Sequence, residues 1–150
     1  DGMNGNQFYC FKIRSMKINA VSDQISASKN DTRITKIGHL LRKTSLDELP
    51  QFFNVLIGDM SIVGPRPHMN IQTKKYISNI DNYLTRNSVK PGITGLAQVS
   101  GYRGEVKKNS DIVNRVRFDI FYIENWSFLL DIKIILLTIF NMFKVQDNAY

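Results

Sequence analysis

Cysteine and histidine are scarce in this chain of 150 residues, which contains one cysteine and two histidines. Cys10 has no partner within the chain for a disulfide, and no group of cysteine and histidine has the spacing of a zinc site. The sequence therefore predicts a protein of a reducing compartment without zinc. His39 and His68 stand alone, and we expect each to have a surface or core role rather than a catalytic one.

A signal peptide is also missing, because the N-terminal stretch is polar and glycine-rich rather than apolar. The stretch 126–143 is rich in large apolar residues, but Asp131 and Lys133 interrupt it, and it is too short for a confident membrane span. The first residues of the chain resemble a cut inside a larger protein. We expect residues 1–150 to form a single domain from the C-terminal part of that protein.

Acidic residues are outnumbered, since 13 Asp and Glu stand against 20 Lys and Arg and give a formal net charge of +7. This balance favours a polyanionic partner, and nucleic acid, anionic lipid and a phosphorylated substrate all qualify. Nucleic acid is the least favoured, because the cations are scattered rather than interleaved with aromatic residues that stack on bases. A non-catalytic basic module that binds a membrane or nucleic acid is the alternative to an enzyme.

Hydrophobic periodicity predicts an α+β domain dominated by helices, with a few short strands. Short apolar runs predict strands over 8–13, 60–63 and 96–99. Helical spacing predicts helices over 34–43, 45–57, 69–84 and 110–144. The last of these is expected to break near Asn125 and Trp126.

The second predicted helix carries a capping signal, because Ser45 and Glu48 have the Ser-x-x-Glu spacing of a capping box. Pro50 would lie just beyond the first turn of a helix capped at Ser45, whereas a cap at Asp47 would tolerate it. Gly58 is a natural stop. The apolar face comprises Leu49, Phe52, Phe53, Leu56 and Ile57. Either start places the two carboxylates at a helix N-terminus.

In the last predicted helix the polar residues form one stripe. At 100° per residue, an arc of roughly 80° contains Ser127, Asp131, Thr138 and Asn141. The remaining circumference is mostly apolar. Such a helix can be buried in the fold, or it can lie in a bilayer interface with its polar stripe towards protein or water. The pattern alone leaves both arrangements open.

Two adjacent carboxylates, Asp47 and Glu48, follow the cations Arg42 and Lys43 within a few residues. Spacing alone fits a helix cap as well as an active site. If the segment is catalytic, an aspartate is already ionised at neutral pH and can act as a nucleophile. Its obstacle on approaching a diphosphate is repulsion, on the order of 4 kcal/mol for each pair of like charges 4 Å apart at an effective dielectric near 20. Cations or a metal must compensate.

Arg66 is a candidate for this compensation, because it is held between two prolines and a guanidinium suits bidentate phosphate contacts. Lys90 and Arg103 flank a glycine-rich turn. The backbone N–H groups of that turn can face a phosphate, and they belong to Gly92, Thr94 and Gly95.

A divalent cation is the other candidate, and we expect Mg²⁺ or Mn²⁺. Glu48 is the first choice of ligand, since Mg²⁺ commonly uses one or two carboxylates together with substrate phosphates. Asp47 or Asp59 is the second choice.

Several motifs, in order along the chain, resemble those of the bacterial sugar transferases, also called monotopic phosphoglycosyl transferases. The matching segments are 11–16 (FKIRSM), 44–51 (TSLDELPQ), 58–67 (GDMSIVGPRP), 89–99 (VKPGITGLAQV) and 122–127 (YIENWS). The resemblance covers nearly the whole chain and makes the catalytic interpretation the favoured one.

The resemblance implies that Asp47 attacks the diphosphate of a nucleotide sugar, releases a nucleoside monophosphate and holds a covalent sugar phosphate, which a polyprenyl phosphate then takes. It implies that Glu48 helps to bind Mg²⁺ and that Arg66 holds phosphate. It also implies that the acidic site is supported by Lys12, Arg14 and Arg42. The expected partners are a UDP-sugar and undecaprenyl or another polyprenyl phosphate, and the expected location is the cytoplasmic face of the bacterial inner membrane, with amphipathic helices at its interface.

Two residues depart from the family pattern, since Ile13 replaces the usual Phe and Leu96 replaces the usual Trp. We expect both to change packing or interface depth more than chemistry. The family has an upstream re-entrant membrane helix that precedes the part seen here. Residues 101–105 look like the version found in hexose-1-phosphate transferases, especially those for glucose or galactose. Exopolysaccharide, capsule and O-antigen pathways, and any oligomeric state, stay open.

Overall fold

Helices make up most of the chain in the computed structural model, which describes residues 1–19, 27–28, 31–106 and 108–143. The α-helices of this part are α1 (Lys36–Thr44), α2 (Gln51–Leu56), α3 (Asn70–Ile77), α4 (Leu96–Val99), α5 (Asn109–Glu124) and α6 (Phe128–Phe143). Strands β1 (Ser61–Val63) and β2 (Gly92–Thr94) form a small parallel sheet. Further 3-10 turns lie at Met3–Gly5, Leu46–Glu48 and Tyr83–Ser88. The helix-dominated α+β class is confirmed.

The strand predicted over 8–13 is wrong, because this segment is held by a side chain instead of a neighbouring strand. The buried amide of Asn54 donates to Tyr9 O at 2.8 Å and accepts from the Phe11 N–H at 2.9 Å. One side-chain amide thus replaces a ladder of backbone hydrogen bonds. The segment stays extended and lies against α2.

The strand predicted over 96–99 is also wrong, since these residues form α4, and β2 lies just before them at Gly92–Thr94. A short apolar run does not by itself distinguish a strand from a helix. The close approach of two chain segments decides the matter: a Cβ at position 92 would stand 2.1 Å from Gly64 N. Only glycine lets the chain pair there, so the sheet forms at 92–94.

Helix α1, predicted over 34–43, runs over Lys36–Thr44. The Thr35 side chain accepts from the Gly38 N–H at 2.9 Å, and Arg42 and Lys43 occupy the last turn, where cations suit the helix dipole. Gly38 is required because a Cβ there would stand 1.9 Å from Ser15 O. The N-terminal segment therefore packs directly on the backbone of α1.

The predicted capping box at Ser45 is wrong. Ser45 ends α1 in the left-handed region with φ of 60°, and its side chain caps no helix. The chain then makes the 3-10 turn Leu46–Glu48, and α2 starts only after Pro50, so Asp47 is not a helix cap either. The left-handed residue prevents one continuous helix, so the two carboxylates lie in the turn between α1 and α2.

The third predicted helix is shorter than expected, because α3 ends at Ile77 and the chain continues into the 3-10 turn Tyr83–Ser88. Asn82 has φ of 57°, which no α-helix can continue through. The break predicted near Asn125 and Trp126 is confirmed between α5 and α6. The predicted last residue of that helix, Lys144, lies outside the described residues.

Helix α5 lies at the centre of the core, because it contributes to both buried apolar clusters. The first cluster comprises Ile80, Tyr83, Ile112 and Val116, and the second comprises Val63, Tyr122 and Ile134. The second cluster joins α5 to β1 and α6. Any loop fixed to α5 is therefore fixed to a helix that contributes to both buried clusters.

Helix α2 buries polar residues and exposes apolar ones. Gln51 and Asn54 have relative exposures of 1% and 0%. The side chains of the predicted apolar face are all exposed, and they are Leu49, Phe52, Phe53, Leu56 and Ile57. This arrangement is the reverse of a helix packed on a globular core.

Helix α6 directs two of the four polar residues of its predicted stripe towards the protein. Thr138 Oγ1 lies 2.7 Å from Thr94 Oγ1, and Asp131 accepts from the Tyr122 O–H at 2.8 Å and from Trp126 Nε1 at 3.1 Å. These polar residues face the protein. The exposed apolar side chains include Phe128, Leu129, Leu136, Ile139 and Phe140. No helix in the described part of the chain is long and apolar enough to span a bilayer.

Candidate active site

The 3-10 turn Leu46–Glu48 presents two carboxylates with different surroundings. It is fixed from both sides: the Ile13 N–H donates to Asp47 O at 2.9 Å, and Arg103 Nη2 donates to Ser45 Oγ at 2.6 Å. The left-handed backbone of Ser45 thus marks the point where the N-terminal segment and the loop at 101–104 meet this turn. A non-glycine residue held in this region is common at functional sites.

Glu48 is surrounded by cations. Arg66 makes a two-pronged ion pair with its carboxylate, with Nη1 donating to Oε2 at 3.3 Å and Nη2 donating to Oε1. Lys12 Nζ lies 3.7 Å from Oε1, and Arg103 Nη2 lies 3.8 Å from Oε2. Burial raises the pKa of Glu48, but the field of Arg66 and its hydrogen bonds, followed by the other cations, bring it down to about 2. The Glu48 charge in turn raises the pKa of Arg66.

Asp47 is in the opposite situation. Its exposure is 8%, and burial, followed by repulsion from Glu48, raises its pKa above the usual value for aspartate. Lys12, Arg42 and Arg66 act in the other direction and hold part of the charge in place. The surroundings therefore change the pKa of this carboxylate in both directions. Its position among three cations does fit the sequence-based hypothesis.

Lys12 and Arg42 reach the turn because buried polar groups hold them there. The Asn54 amide fixes the backbone of residues 9–11, which places Lys12 next to Glu48. Arg42 Nε donates to Ser15 Oγ at 2.8 Å, and Ser15 is itself buried. The N-terminal segment thus contributes one cation and orients another.

Arg66 lies in the loop after β1, and a buried arginine donates a hydrogen bond to its backbone carbonyl. Arg86 Nη2 donates to Arg66 O at 2.7 Å and to Asp119 Oδ2 at 2.8 Å. The prolines on either side of Arg66 restrict its backbone further. The guanidinium therefore approaches Glu48 from a stiff support.

Three predicted site residues are not brought to this cluster. Arg14 and Lys90 are exposed, and no described ion pair joins either of them to Asp47 or Glu48. Asp59 follows Gly58 in the turn after α2, where its N–H donates to Asn54 O at 2.9 Å, and no described contact links its carboxylate to the turn. Phosphate binding by Arg14 and Lys90 and metal binding by Asp59 stay predictions.

The glycine-rich turn has a packing role that the sequence did not reveal. The Gly92 N–H donates to Pro65 O at 2.9 Å, and the Thr94 hydroxyl lies against Thr138. A Cβ at Gly95 would stand 2.2 Å from Gly64 O. The Gly92 amide is therefore engaged within the fold, which argues against its predicted role towards phosphate. The prediction stays untested for the Thr94 and Gly95 amides.

Sequence reasoning missed the buried polar residues that hold the site together. The chief ones are Asn54, His68, Arg86, Arg115 and Asp119, and each is buried. The expectation of a core or surface role for the histidines is confirmed at His68, whose Nδ1 lies 2.6 Å from Tyr83 Oη and from Arg86 Nη1. The i to i+4 spacing of Arg115 and Asp119 on one helix was the only local signal.

Comparison with known proteins bears on this geometry. The model of the family described as "Bacterial sugar transferase" matches residues 1–145. The chain belongs to the bacterial sugar transferase family. The resemblance inferred from the sequence motifs is thereby confirmed.

Individual relatives of the family are also similar to this chain. Proteins named UDP-glucose:undecaprenyl-phosphate glucose-1-phosphate transferase are 51% identical in Klebsiella pneumoniae, 50% in Escherichia coli K12 and 52% in Xanthomonas campestris. Each match covers 99% of this chain and 31–32% of the relative. The chain thus spans about a third of the length of these proteins.

Proposed function

We propose that this chain is the catalytic domain of an enzyme that transfers a sugar 1-phosphate from a UDP-sugar to a polyprenyl phosphate. The observation that carries the proposal is the cluster around Asp47. One buried carboxylate lies next to a second carboxylate, and four cations surround the pair: Lys12, Arg42, Arg66 and Arg103. Family membership supports the same conclusion.

The reaction has two displacements at one phosphorus atom. A carboxylate oxygen of Asp47 attacks the sugar-bearing phosphorus of the UDP-sugar, the bond from that phosphorus to the bridging oxygen breaks, and UMP leaves with the electron pair. A polyprenyl phosphate oxygen then attacks the same phosphorus and displaces Asp47. The product is a polyprenyl diphosphate sugar, and the free carboxylate is restored.

Charge balance explains why the cations outnumber the carboxylates. Arg66 and Arg103 have a guanidinium geometry suited to phosphate oxygens, so a bound diphosphate can share or replace their contacts with Glu48. Stabilisation of this kind, by charges fixed before the reaction, is generally the largest contribution to phosphoryl transfer. Glu48 keeps the arginines ordered while no substrate is bound.

The burial of Asp47 also has a use in this mechanism. A carboxylate that has lost part of its hydration needs less solvent rearrangement when it attacks phosphorus. Burial raises the pKa of Asp47, and Lys12, Arg42 and Arg66 oppose this effect and favour the ionised carboxylate. Asp47 therefore serves as the nucleophile, while Glu48 pairs with the cations until substrate binds.

Mg²⁺ fits the donor chemistry of this turn, because Asp47 and Glu48 are adjacent and offer hard oxygen ligands. The described residues hold no cluster of three or more His, Cys, Asp or Glu side chains suited to a metal, so substrate phosphates and water would complete the coordination. When bound, the ion would polarise the phosphoryl oxygens. A Glu48→Gln variant should weaken the Mg²⁺ dependence of turnover, and an unchanged metal titration would remove Glu48 as a ligand.

The sugar we propose is glucose, since the relatives that are about half identical are named for glucose 1-phosphate transfer. A membrane interface is supported by the exposed apolar side chains of α2 and α6, which an aqueous surface would not favour. The formal charge of +7 suits an anionic lipid surface. The cytoplasmic face is the side where nucleotide sugars are available.

UMP release from UDP-glucose, with polyprenyl phosphate and Mg²⁺, tests the proposal in the full-length protein. Asp47→Asn should lower turnover by roughly 10³-fold or more, because it removes the nucleophile. The folded state should not suffer, since burial disfavours the Asp47 charge. Asp81→Asn is the matched control, because Asp81 is exposed. Near-normal turnover of Asp47→Asn would rule out the covalent mechanism, and trapping of the sugar phosphate on Asp47 would support it directly.

A further inference from the structure

Arg66 and Arg103, which approach Glu48 from two loops, are both connected to one turn of α5. Arg115 and Asp119 are four residues apart in that helix, so they lie on the same face. Their relative exposures are 7% and 2%. Neither touches Asp47 or Glu48 in a described contact, yet each reaches one of the two loops.

The connection to the Arg66 loop runs through a buried ion pair. Asp119 Oδ2 accepts from Arg86 Nε at 3.1 Å and from Nη2 at 2.8 Å, and the two side chains are 2% and 3% exposed. The same Nη2 donates to Arg66 O at 2.7 Å. The backbone carbonyl of Arg66 is thus two hydrogen bonds away from α5.

The connection to the Arg103 loop is shorter. Arg115 Nη2 donates to Gly104 O at 2.9 Å, in the residue after Arg103. Two further contacts hold the other side of that loop to α5: the Tyr102 ring lies 5.5 Å from the Phe118 ring, and its hydroxyl accepts from Asn114 Nδ2 at 3.2 Å. The loop is therefore fixed to α5 both before and after Arg103.

Packing alone does not account for these buried charges. A buried ion pair can often be replaced by apolar residues of similar volume without loss of stability. Arg115 also keeps its Nε buried without a hydrogen-bond partner, which is costly. Charged groups are nevertheless used at the two points where the arginine loops meet the helix. Hydrogen bonds fix the direction of a backbone carbonyl in a way that apolar contacts do not.

We propose that Arg115 and Asp119 are positioning residues that set the placement of Arg103 and Arg66 on either side of Glu48. This inference rests on the proposed function, since it assigns the two arginines to the phosphates of the substrate. Arg86 transmits the effect of Asp119 to the Arg66 backbone. Displacing an arginine by about 1 Å from a reacting phosphate can lower the rate by roughly 10²-fold.

The experiment uses Arg115→Met and Asp119→Asn in the full-length protein, with Arg117→Met as the control, because Arg117 is exposed on the same helix. We expect kcat with UDP-glucose to fall by about 10- to 100-fold, while KM changes by less than about threefold. Arg115→Lys keeps a donor for Gly104 O and should recover part of the rate. The control should match the parent protein.

Hydrogen exchange gives a readout that does not need turnover. Exchange should quicken at 101–105 in Arg115→Met and at 64–67 in Asp119→Asn, while α6 keeps its protection. Faster exchange throughout the domain in Arg115→Met would show a merely structural role, and unchanged exchange at 101–105 would show that the contact does not order the loop. Either result overturns the inference, as would unchanged kcat in Arg115→Met. If Asp119→Asn does not fold, the rates and exchange of Arg115→Met and Arg115→Lys test the positioning role by themselves.

Different results would contradict the proposed function and the positioning role. A parent protein that releases no UMP from any UDP-sugar would defeat the proposed function, and with it the assignment of the arginines to substrate phosphates. Local changes in exchange without any effect on a demonstrated turnover would defeat only the positioning role.

Discussion

Asp47 and Glu48 are neighbours in sequence, but their surroundings push their pKa values apart. Burial and the adjacent negative charge raise the pKa of Asp47. The pKa of Glu48 is also raised by burial, but Arg66, Lys12 and Arg103 outweigh this effect and lower it to about 2. Pairs of titratable groups separated in this way commonly have different tasks. Here the buried group with few direct contacts suits attack on phosphorus, and the ion-paired group suits the ordering of arginines.

The pH dependence of stability tests the assignment of Glu48. Its pKa in the folded protein, about 2, lies below the ordinary value of 4.5, so its stabilisation is present above pH 4.5 and is lost as pH falls towards 2. Glu48→Gln should therefore lower the free energy of unfolding by about 2 kcal/mol at pH 7 and by much less near pH 2.5. Urea denaturation at several pH values measures this.

Glu105→Gln is the control for that series, because Glu105 is exposed. Its free energy of unfolding should follow the parent protein at every pH. A loss of stability in Glu48→Gln that stays the same from pH 7 to pH 2.5 would show that the ion pairs around Glu48 do not stabilise the fold.

Helix α2 has a buried polar face and an exposed apolar face, and the two have different roles. Its buried face carries Asn54, which orders the N-terminal segment and so brings Lys12 to Glu48. Its outer face carries large apolar side chains that contact little of the described protein. The polar face therefore contributes to the stability of the domain, and the apolar face is free for another surface.

Alanine substitution should lower the free energy of unfolding more on the polar face of α2 than on its apolar face. In a helix packed on an apolar core the order is the reverse. Asn54→Ala leaves the Phe11 N–H and Tyr9 C=O without partners and should cost about 2 kcal/mol or more. Phe53→Ala removes a side chain that is 64% exposed and should change the free energy of unfolding by less than about 0.5 kcal/mol. Urea denaturation of the two variants compares them directly. A larger loss in Phe53→Ala would mean that α2 packs on its apolar face.

Large exposed apolar side chains lie on several helices of the described chain. In α1 they are Ile37 and Leu40, and α2 and α6 contribute the larger share. The chain combines these surfaces with a net charge of +7. Shallow burial in an anionic lipid interface would remove the apolar area from water and place the cations among the headgroups.

Liposome co-sedimentation tests this arrangement. A Phe53→Gln, Leu56→Gln double variant should bind anionic liposomes about 10-fold or more weakly, because it removes two apolar side chains from the interface. Ile18→Gln is the matched control, since Ile18 is 87% exposed but lies outside the helices. Equal binding of the double variant and the control would place the membrane contact elsewhere.

The sequence by itself determined the features that depend on neighbouring residues. The motifs identified the family, the periodicity predicted most of the helices and the break before α6, and the segment around Asp47 and Glu48 identified the cluster. The polar stripe of α6 was also readable, although its direction was not. Helix turns and motifs are local, so a short stretch of sequence contains the information they need.

Only the tertiary structure decided which cations reach the carboxylates, which face of α2 is buried and how α5 holds the two arginine loops. These contacts join residues far apart in the chain: Arg103 and Ser45 are 58 positions apart, and Asn54 and Phe11 are 43 apart. A buried polar residue looks like a surface residue in sequence, because its partner, not its type, makes burial tolerable. The partners of the buried polar residues appear only once the chain has folded.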